Sequence, residues 1–439
     1  MEGKTNSKKI ILILVLVVIL AVLVFCFVKA YDNIASSNTT NSTSSNASNT
    51  NNETTAKSAT EVSSEFEDVD YGETKEVTTS KSTSSSNGEV VTITAGGTYD
   101  LSGSYESIII NTSSNVQLNL NNVTIINTSG PAINVVDAKT VSIVLTGTNT
   151  ITSTTVEDLD GAIYSKADLV FSGTGSLEIK SNYNGIVSKD TLVIQSGTYT
   201  INTDDDGIRG KDYVAITGGT FTVNAGGHAI KSTNEEDDGM GYISIDGGTF
   251  HLTTTGDGFN AVSDIVINGG EFTINSKDDG IHADGMIEIN GGTFDITASE
   301  GIEATYVKIN DGTITISASD DGINAGNKST KYSVVIEVNG GNITITMGQG
   351  DTDGIDSNGN LYINGGTLNI TGNSPFDYDG TAEYNGGTMI VNGEETTEIT
   401  NQFMGGGGMM NGGGMQPGGM PGEMNNENFQ QGRRGQKMR

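Results

Sequence analysis

The residues most able to do chemistry in this sequence are acids that recur directly before a glycine. The glycine is followed each time by an isoleucine or phenylalanine, and the mark repeats through the second half of the chain. Acids at this position are Asp206, Asp257, Asp279, Glu300, Asp321 and Asp353. Carboxylate oxygens in flexible surroundings suit Ca²⁺, whereas one cysteine and three histidines give no zinc-type cluster. The pattern therefore predicts a calcium-binding acidic edge.

A second column is predicted two residues after the same glycine. Its members are Arg209, Asn260, His282, Glu303, Asn324 and Asp356. In a coil of stacked strands, equivalent residues lie about 4.8 Å apart, and neighbouring carboxylates at that distance repel by roughly 1 kcal/mol in water. A bound cation, a raised pKa or side chains splayed into water would each relieve this repulsion. Calcium is the interpretation we favour, and solvated acids in good turns are the alternative.

Counting both columns and the acids beside them, the expected ligands form one set. The predicted metal ligands are Asp206, Asp257, Asp278, Asp279, Glu300, Glu303, Asp320, Asp321, Asp353 and Asp356.

Basic and aromatic residues near these columns are candidates for contact with sugar. Arg209 and Lys211 lie together, with Lys231 one repeat further on, and they could hold a carboxylated sugar, act as a base, or balance neighbouring acids. His282 is a candidate ligand or base, with a solvated surface histidine as the alternative. Tyr306 is a candidate for stacking on a sugar ring. These five residues are the predicted carbohydrate contacts, and no catalytic residue is assigned.

The elements that position these residues follow from a repeat of about 21 residues. Pairs such as Gly269-Gly270 and Gly291-Gly292 recur with spacings of 20 to 29 residues. Within 280–298, apolar and polar residues alternate, which predicts three short strands near 280–283, 286–290 and 293–297. Strands without helices at this period predict an all-β, right-handed, single-stranded parallel β-helix of about fourteen coils.

The N-terminal sequence predicts where in the cell the protein is located. Lys4, Lys8 and Lys9 precede an uncharged apolar segment over 10–28, long enough to span a bilayer as a helix. Basic residues on the near side predict a single-pass protein with its remainder on the extracellular face. Cleavage after the Val28-Lys29-Ala30 sequence, which would secrete the chain, is the alternative. The predicted boundaries are a cytoplasmic segment 1–9, a transmembrane signal anchor 10–28, a Ser/Thr/Asn-rich stalk 29–89, the β-helix 90–400 and a disordered Gly/Met-rich tail 401–439.

The net charge of the chain restricts the classes of binding partner. The chain has a formal net charge of −32, almost all of it between residues 91 and 400. A field of this sign repels nucleic acid and attracts cations. The expected partners are therefore Ca²⁺, a polysaccharide, and the membrane through the N-terminal helix, with no nucleic acid.

The paired marks Asp279-Gly280-Ile281 and Gly291-Gly292-Thr293-Phe294 resemble those of the clostridial cell-surface carbohydrate-binding β-helix proteins. The resemblance extends from about residue 90 to 400 and includes the trailing Gly/Met-rich tail. It implies a fold like that of the polysaccharide lyases, an association with calcium, and binding of cellulose and pectin-type acidic glycans. It also implies calcium-ligand roles for Asp278, Asp279, Asp320, Asp321 and Asp353.

These observations predict a cell-surface protein that binds plant-type or acidic polysaccharide along the β-helix in a calcium-dependent way. Tryptophan is absent, and Phe250, Phe272 and Phe294 face inward by phase, so soluble or acidic glycan is favoured over crystalline cellulose. The alternatives are a pectate-lyase-like polysaccharide lyase and a non-catalytic adhesin or surface spacer.

Overall fold

Short strands with alternating burial build every coil of the protein. The computed structural model describes residues 54, 56–81, 88–154, 159–348 and 352–401. Its strands form an all-β parallel solenoid of about 14 turns with about 22 residues per turn. Each coil contributes one strand to each of three parallel stacks, which we call stacks 1, 2 and 3. The predicted β-helix is confirmed, and its right hand stays a prediction.

Stack 1 is a 14-stranded sheet of mostly very short strands, beginning with one antiparallel pair. Its strands are Thr78–Lys81, Glu89–Ile93, Ser107–Asn111, Ile133–Asp137, Gly161–Ser165, Asn184–Ser188, Ile208–Gly210, Ile230–Ser232, Phe259–Ala261, Ile281–Ala283, Ile302–Ala304, Ile323–Ala325, Asp353–Ser357 and Ser374–Tyr378.

Stacks 2 and 3 belong to one larger sheet because two long strands, Gly97–Tyr105 and Val116–Asn127, run through both. Stack 2 also contains Thr74–Lys75, Thr140–Thr146, Asp168–Gly173, Thr191–Ile194, Tyr213–Ile216, Tyr242–Ile245, Ile265–Ile267, Met286–Ile289, Tyr306–Ile309, Val335–Val338, Asn360–Ile363 and Ala382–Tyr384. Stack 3 also contains Thr148–Ser153, Ser176–Ser181, Thr198–Thr203, Thr220–Ala225, Thr249–Thr254, Glu271–Ser276, Thr293–Ala298, Thr313–Ala318, Asn342–Met347, Thr367–Thr371, Thr388–Val391 and the antiparallel Glu394–Thr396.

The core is filled by side chains that repeat from coil to coil. Ile208 aligns with Ile230 and then with Phe259 in stack 1, so equivalent apolar residues lie directly above one another. In stack 3 the rings of Tyr199, Phe221, Phe250, Phe272 and Phe294 stack in sequence, with centroids 4.5 to 5.0 Å apart. The inward direction predicted for the three phenylalanines is therefore confirmed.

The two glycine marks serve different geometric needs. Gly270 adopts a φ of +124°, which side chains with a Cβ rarely adopt, and it forms the corner between stacks 2 and 3. At Gly280 an added Cβ would lie 2.5 Å from the carbonyl oxygen of Gly301 in the next coil. The acid-Gly mark therefore keeps its glycine because neighbouring coils approach closely there.

A ladder of asparagine amides runs along the corner between stacks 2 and 3. From Asn290 onward, each Nδ2 donates to the Oδ1 of the asparagine one coil earlier, at 2.7 to 2.9 Å, and the Nδ2 of Asn268 donates to Asp246 Oδ1 at 2.7 Å. Its members are Asn268, Asn290, Asn310, Asn339, Asn364 and Asn385. The ladder fixes the register of the corner, because a slipped coil would leave amides unpaired.

Replacing Asn310 with alanine is expected to lower the free energy of unfolding by about 1–2 kcal/mol, because hydrogen bonds on both sides are lost. Asn310 donates to Asn290 at 2.7 Å and to Glu288 at 3.0 Å, and accepts from Asn339 at 2.9 Å. Urea unfolding followed by circular dichroism measures the change. The matched control is Asn385→Ala at the end of the ladder, where a single amide bond to Asn364 is lost. Equal losses for the two variants would contradict a cooperative ladder.

The predicted stalk over 29–89 is wrong in its second half. Helix α1, Ala59–Ser64, packs on the outer face of stack 2, where Ala59 and Val62 are fully buried. Residues 54 and 56–75, which we call the strap, are also held by polar contacts: Thr54 Oγ1 donates to Asp264 at 2.9 Å, and the Thr60 amide donates to Asp246 at 2.6 Å. The apolar residues of the strap find partners on stack 2 that lie far away in the sequence.

The remaining N-terminal and C-terminal predictions lie outside the described residues. This applies to the cytoplasmic segment 1–9, the signal anchor 10–28, the first half of the stalk and the tail from residue 402 onward. Within the described ranges, no helix has the length and apolarity needed to span a membrane.

Candidate carboxylate-rich binding site

The outward column of stack 1 is aligned as the sequence predicts. Successive coils place Arg209, Lys231, Asn260, His282, Glu303, Asn324, Asp356 and Asp377 in register. Each is the central residue of a short strand whose two neighbours are buried in most coils. The column therefore runs from a basic end at its N-terminal coils to an acidic end at its C-terminal coils.

Three of the six acids before the corner glycines, Asp206, Asp257 and Asp321, form an inner ladder with a structural role. The amide of His228 donates to Asp206 Oδ1 at 2.9 Å, and the amide of Asp279 donates to Asp257 Oδ1 at 3.0 Å. The amide of Asp353 donates likewise to Asp321 Oδ1 at 3.0 Å. These acids thus satisfy backbone donors of the next coil, which accounts for their presence in turns even without a cation.

His228 belongs to this ladder, and sequence reasoning missed it. In its coil the acid-Gly mark is replaced by His228-Ala229, so the pattern does not identify the position. The structure places the histidine in register because the Gly207 amide donates to its carbonyl oxygen at 2.9 Å. Its Nδ1 accepts the Asp257 amide at 3.0 Å. The missing signal was the spacing of 22 residues between Asp206 and His228.

Carboxylate groups converge most closely in the middle of the acidic half. Oxygens of Asp279, Glu300 and Glu303 all lie within 4.8 Å of one another, and we call these three residues the acid cluster. Glu300 stands where the other coils with an acid-Gly mark have aspartate, and its longer side chain reaches towards Glu303. Asn324 Nδ2 donates to Glu300 Oε2 at 3.0 Å. A second group of potential ligands, Asp257, Asp279 and His282, shares one member with the cluster.

Crowding in the acid cluster perturbs its ionisation. Burial, followed by the charge of Glu303, raises the pKa of Glu300 to about 8. Burial is also the main cause that raises the pKa of Asp279 to about 6. For Glu303, burial acts upward but is outweighed by hydrogen bonds from His282 and Lys328, which bring its pKa to about 2. Negative charge in the cluster is therefore only partly balanced by the protein itself.

His282 is a partly buried partner of the acid cluster, and the alternative of a solvated histidine is wrong. Its Nδ1 lies 2.8 Å from both Asp279 Oδ2 and Glu303 Oε2, and its Nε2 lies 3.4 Å from Asp284 Oδ1. Burial lowers its pKa, but these three acids outweigh burial and raise it to about 11. The imidazole is therefore a cation at neutral pH, held in place by carboxylates.

At the basic end, Arg209 is engaged by two acids. Its guanidinium contacts Asp160, which sequence reasoning missed, and lies 3.7 Å from Asp206. Lys231 follows it in register, and Lys211 contacts Glu236 at 3.4 Å. The interpretation of Arg209 as a counter-charge is thus supported, and Asp206 belongs to this ion pair rather than to the acid cluster.

The remaining predicted ligands lie outside the acid cluster. Asp278 and Asp320 are exposed. Asp321, Asp353 and Asp356 lie in the coils that follow, where burial and then Asp321 raise the pKa of Asp356 to about 7. The structure therefore brings four of the ten predicted ligands, Asp257, Asp279, Glu300 and Glu303, into two overlapping groups that share Asp279.

The prediction that Tyr306 stacks on sugar is wrong. Its side chain is 2% exposed, and its hydroxyl donates to Glu337. The ring of Tyr332, from the loop that joins stack 1 to stack 2 in the next coil, lies 6.2 Å away and helps to cover it. The alternation of inward and outward residues placed Tyr306 outside the core, but a loop of the neighbouring coil buries its side chain.

Comparisons with known proteins identify the family of this chain. A family model described as "Carbohydrate-binding domain-containing protein" matches residues 87–279 and 275–403, which together make up more than half of the chain. The chain therefore belongs to this family. Among solved structures, a polysaccharide lyase-like protein from C. thermocellum, a gadolinium derivative, is 26% identical, with a TM-score of 0.45, 49% of this chain covered and 95% of that one. No curated protein matches the chain.

Proposed function

We propose that this protein is a cell-surface receptor for acidic polysaccharide, anchored through residues 10–28, that binds its ligand along stack 1 with Ca²⁺ held at the acid cluster. Membership of the carbohydrate-binding family supports the ligand class. The observation that carries the calcium proposal is the convergence of Asp279, Glu300 and Glu303 within 4.8 Å.

The residues of the cluster fit a hard divalent cation. Their donors are carboxylate oxygens, the ligands that calcium prefers. Asp257, Asp279, Glu300 and Glu303 face two cations, His282 and Lys328, which leaves two negative charges for a divalent ion when all are ionised. In addition, the buried Oδ1 of Asn324 has no hydrogen-bond partner, although its amide nitrogen contacts Glu300. A cation beside Glu300 would give this oxygen a partner.

The chain's own residues would position both the ion and the polymer. His282 and Lys328 hold Glu303 from two sides, and the backbone ladder fixes Asp257. Calcium bound there would supply positive charge and open coordination positions for uronate carboxylates. Lys231 and Arg209, further along the same column, lie where the carboxylates of a chain lying along the solenoid could be paired.

The protonation of His282 and the ion pairs of Arg209 favour binding of the polysaccharide over its cleavage by elimination. A lyase needs an unprotonated base beside the sugar's α-carbon. His282 is a cation because its pKa is raised to about 11 by its acid partners, and Arg209 is held by Asp160 and Asp206. Neither group is poised to accept a proton, so the proposed role is non-catalytic.

Affinity electrophoresis of the chain through polygalacturonate is expected to show retardation in calcium that disappears with chelator. The reason is that an acidic protein and an acidic polymer repel each other unless a divalent cation bridges them. Absorbance of unsaturated uronate, recorded in parallel, should not rise.

A neutral polymer in the gel controls for sieving, and magnesium in place of calcium controls for ionic strength. Retardation that is equal in calcium and chelator would overturn the calcium proposal. Absence of retardation on every glycan would favour an adhesin or spacer, and rising absorbance would favour the lyase.

A further inference from the structure

The strap creates a groove on stack 2, away from the stack 1 column. The groove encloses about 410 Å³ between the strap and the outer face of the sheet. This volume lies in the range of small-molecule binding sites. On the strap side its wall includes Phe66 and Tyr71, both only partly buried, with Ser63 and Glu67. The segment that the sequence suggested to be a stalk therefore forms one side of a cavity.

The floor of the groove is an uncharged surface formed by successive coils, mostly polar but with Val144 and Val170 as apolar members. Its polar residues are Gln117, Ser142, Ser172, Gln195 and Thr217. Gln117 aligns with Ser142 and then with Val170, while Ser172 aligns with Val144 of the preceding coil. The coils are spaced about 4.8 Å apart, so amides and hydroxyls alternate with valines along the groove. Gln195 Nε2 also donates to Ser63 Oγ at 2.9 Å, which joins floor and wall.

The chemistry of this surface selects a particular kind of ligand. Sugar rings have an apolar face that stacks on aromatic rings and an edge of hydroxyls that bonds to amides and hydroxyls. Phe66 and Tyr71 offer the first surface, and the floor offers the second. Among the described residues that line the groove, Glu67 alone carries a charge, and it is negative. In a chain of net charge −32, this favours a neutral sugar over a uronate.

We infer that the groove between the strap and stack 2 binds a short neutral oligosaccharide without calcium. The inference rests on the proposed carbohydrate-binding function, but it concerns a different surface and a different sugar class. The protein would then have two glycan sites, one for acidic polymer on stack 1 and one for neutral chains on stack 2.

Calorimetric titration of the full-length chain in mild detergent tests this inference, with cellohexaose and mannohexaose as neutral probes. We expect wild-type protein to bind at least one of them equally well in calcium and in chelator. Phe66→Leu keeps apolar packing for the helix but removes the ring face, so affinity should fall at least tenfold. Phe66→Tyr should restore it to within about twofold of wild type. Ser172→Tyr, which fills the floor, should abolish binding.

The matched control is Tyr362→Leu, an aromatic substitution on stack 2 outside the groove, which should leave the affinity unchanged. Thermal unfolding of each variant checks that the fold is retained. Calcium-dependent retardation by polygalacturonate should persist in Phe66→Leu. If wild type binds polygalacturonate but neither neutral probe, the inference fails and the proposed function stands. If Phe66→Leu and Ser172→Tyr bind neutral probe like wild type, the groove is not the site.

Discussion

Replacing Phe272 with alanine is expected to lower the free energy of unfolding by about 3–5 kcal/mol. The ring is 3% exposed and stacks between Phe250 and Phe294, at centroid distances of 4.8 and 4.5 Å. It also meets Phe259 edge-on at 5.9 Å. Alanine would remove contacts on three sides and leave a cavity that two flanking coils cannot fill without changing their spacing, so the loss should lie at the upper end of this range.

Urea unfolding followed by circular dichroism measures this loss, and hydrogen exchange locates it. In a solenoid each coil contacts only its neighbours, so amides in the coils of Phe250 and Phe294 should lose most protection. The matched control is Thr273→Ala, which changes the adjacent exposed side chain of the same strand and should cost little. A loss of protection spread evenly over all coils would contradict the nearest-neighbour description.

Coil architecture was predictable because it depends on local alternation repeated many times. In the unit 280–298 the strands Ile281–Ala283, Met286–Ile289 and Thr293–Ala298 lie where alternation predicts them. Any single strand of three to six residues would be ambiguous, but the same phase in successive repeats removes the ambiguity. The stacking of equivalent residues then follows from the parallel register.

The strap was not predictable, because its burial depends on distant partners. Its composition resembles a linker, and α1 contributes only Ala59 and Val62 as fully buried apolar residues. These pack against Val193, Tyr213 and other residues of stack 2 more than 100 positions away. Neither the periodicity nor the composition of the strap indicates that it packs on a surface of stack 2.

The site was predicted only in part, because the sequence does not show which loops cover the outward-facing residues of the strands. Phase correctly places His282 and Tyr306 outside the core, but it does not report what covers them. An insertion of residues between Ala325 and Val335 brings Lys328 to Glu303 and Tyr332 to Tyr306. The same loop therefore balances the acid cluster and removes a predicted stacking residue, and both effects needed three-dimensional information.

Substituting Asp279→Asn and Glu300→Gln together is expected to reduce calcium affinity at least a hundredfold and to abolish calcium-dependent retardation by polygalacturonate. The substitutions are nearly isosteric, so the shape of the cluster is kept while two of its three carboxylates lose their charge. Calcium affinity depends on the number of charged oxygen ligands, and neutral amides replace carboxylates poorly. Titration calorimetry with calcium alone, followed by electrophoresis, measures both losses.

The same double variant should be more stable than wild type in chelator, because it removes the burial of the Glu300 charge and the repulsion by Glu303, which together raise the pKa of Glu300 to about 8. We expect the thermal midpoint in chelator to rise by about 2–4 °C. Calcium should raise the wild-type midpoint and leave that of the variant unchanged. The matched control, Glu271→Gln with Asp295→Asn, removes two exposed charges from stack 3 and should retain the calcium response. The double variant should therefore have a higher thermal midpoint than wild type in chelator and a lower one in calcium. If these acids only capped the backbone in turns, replacing them would lower the thermal midpoint in both conditions.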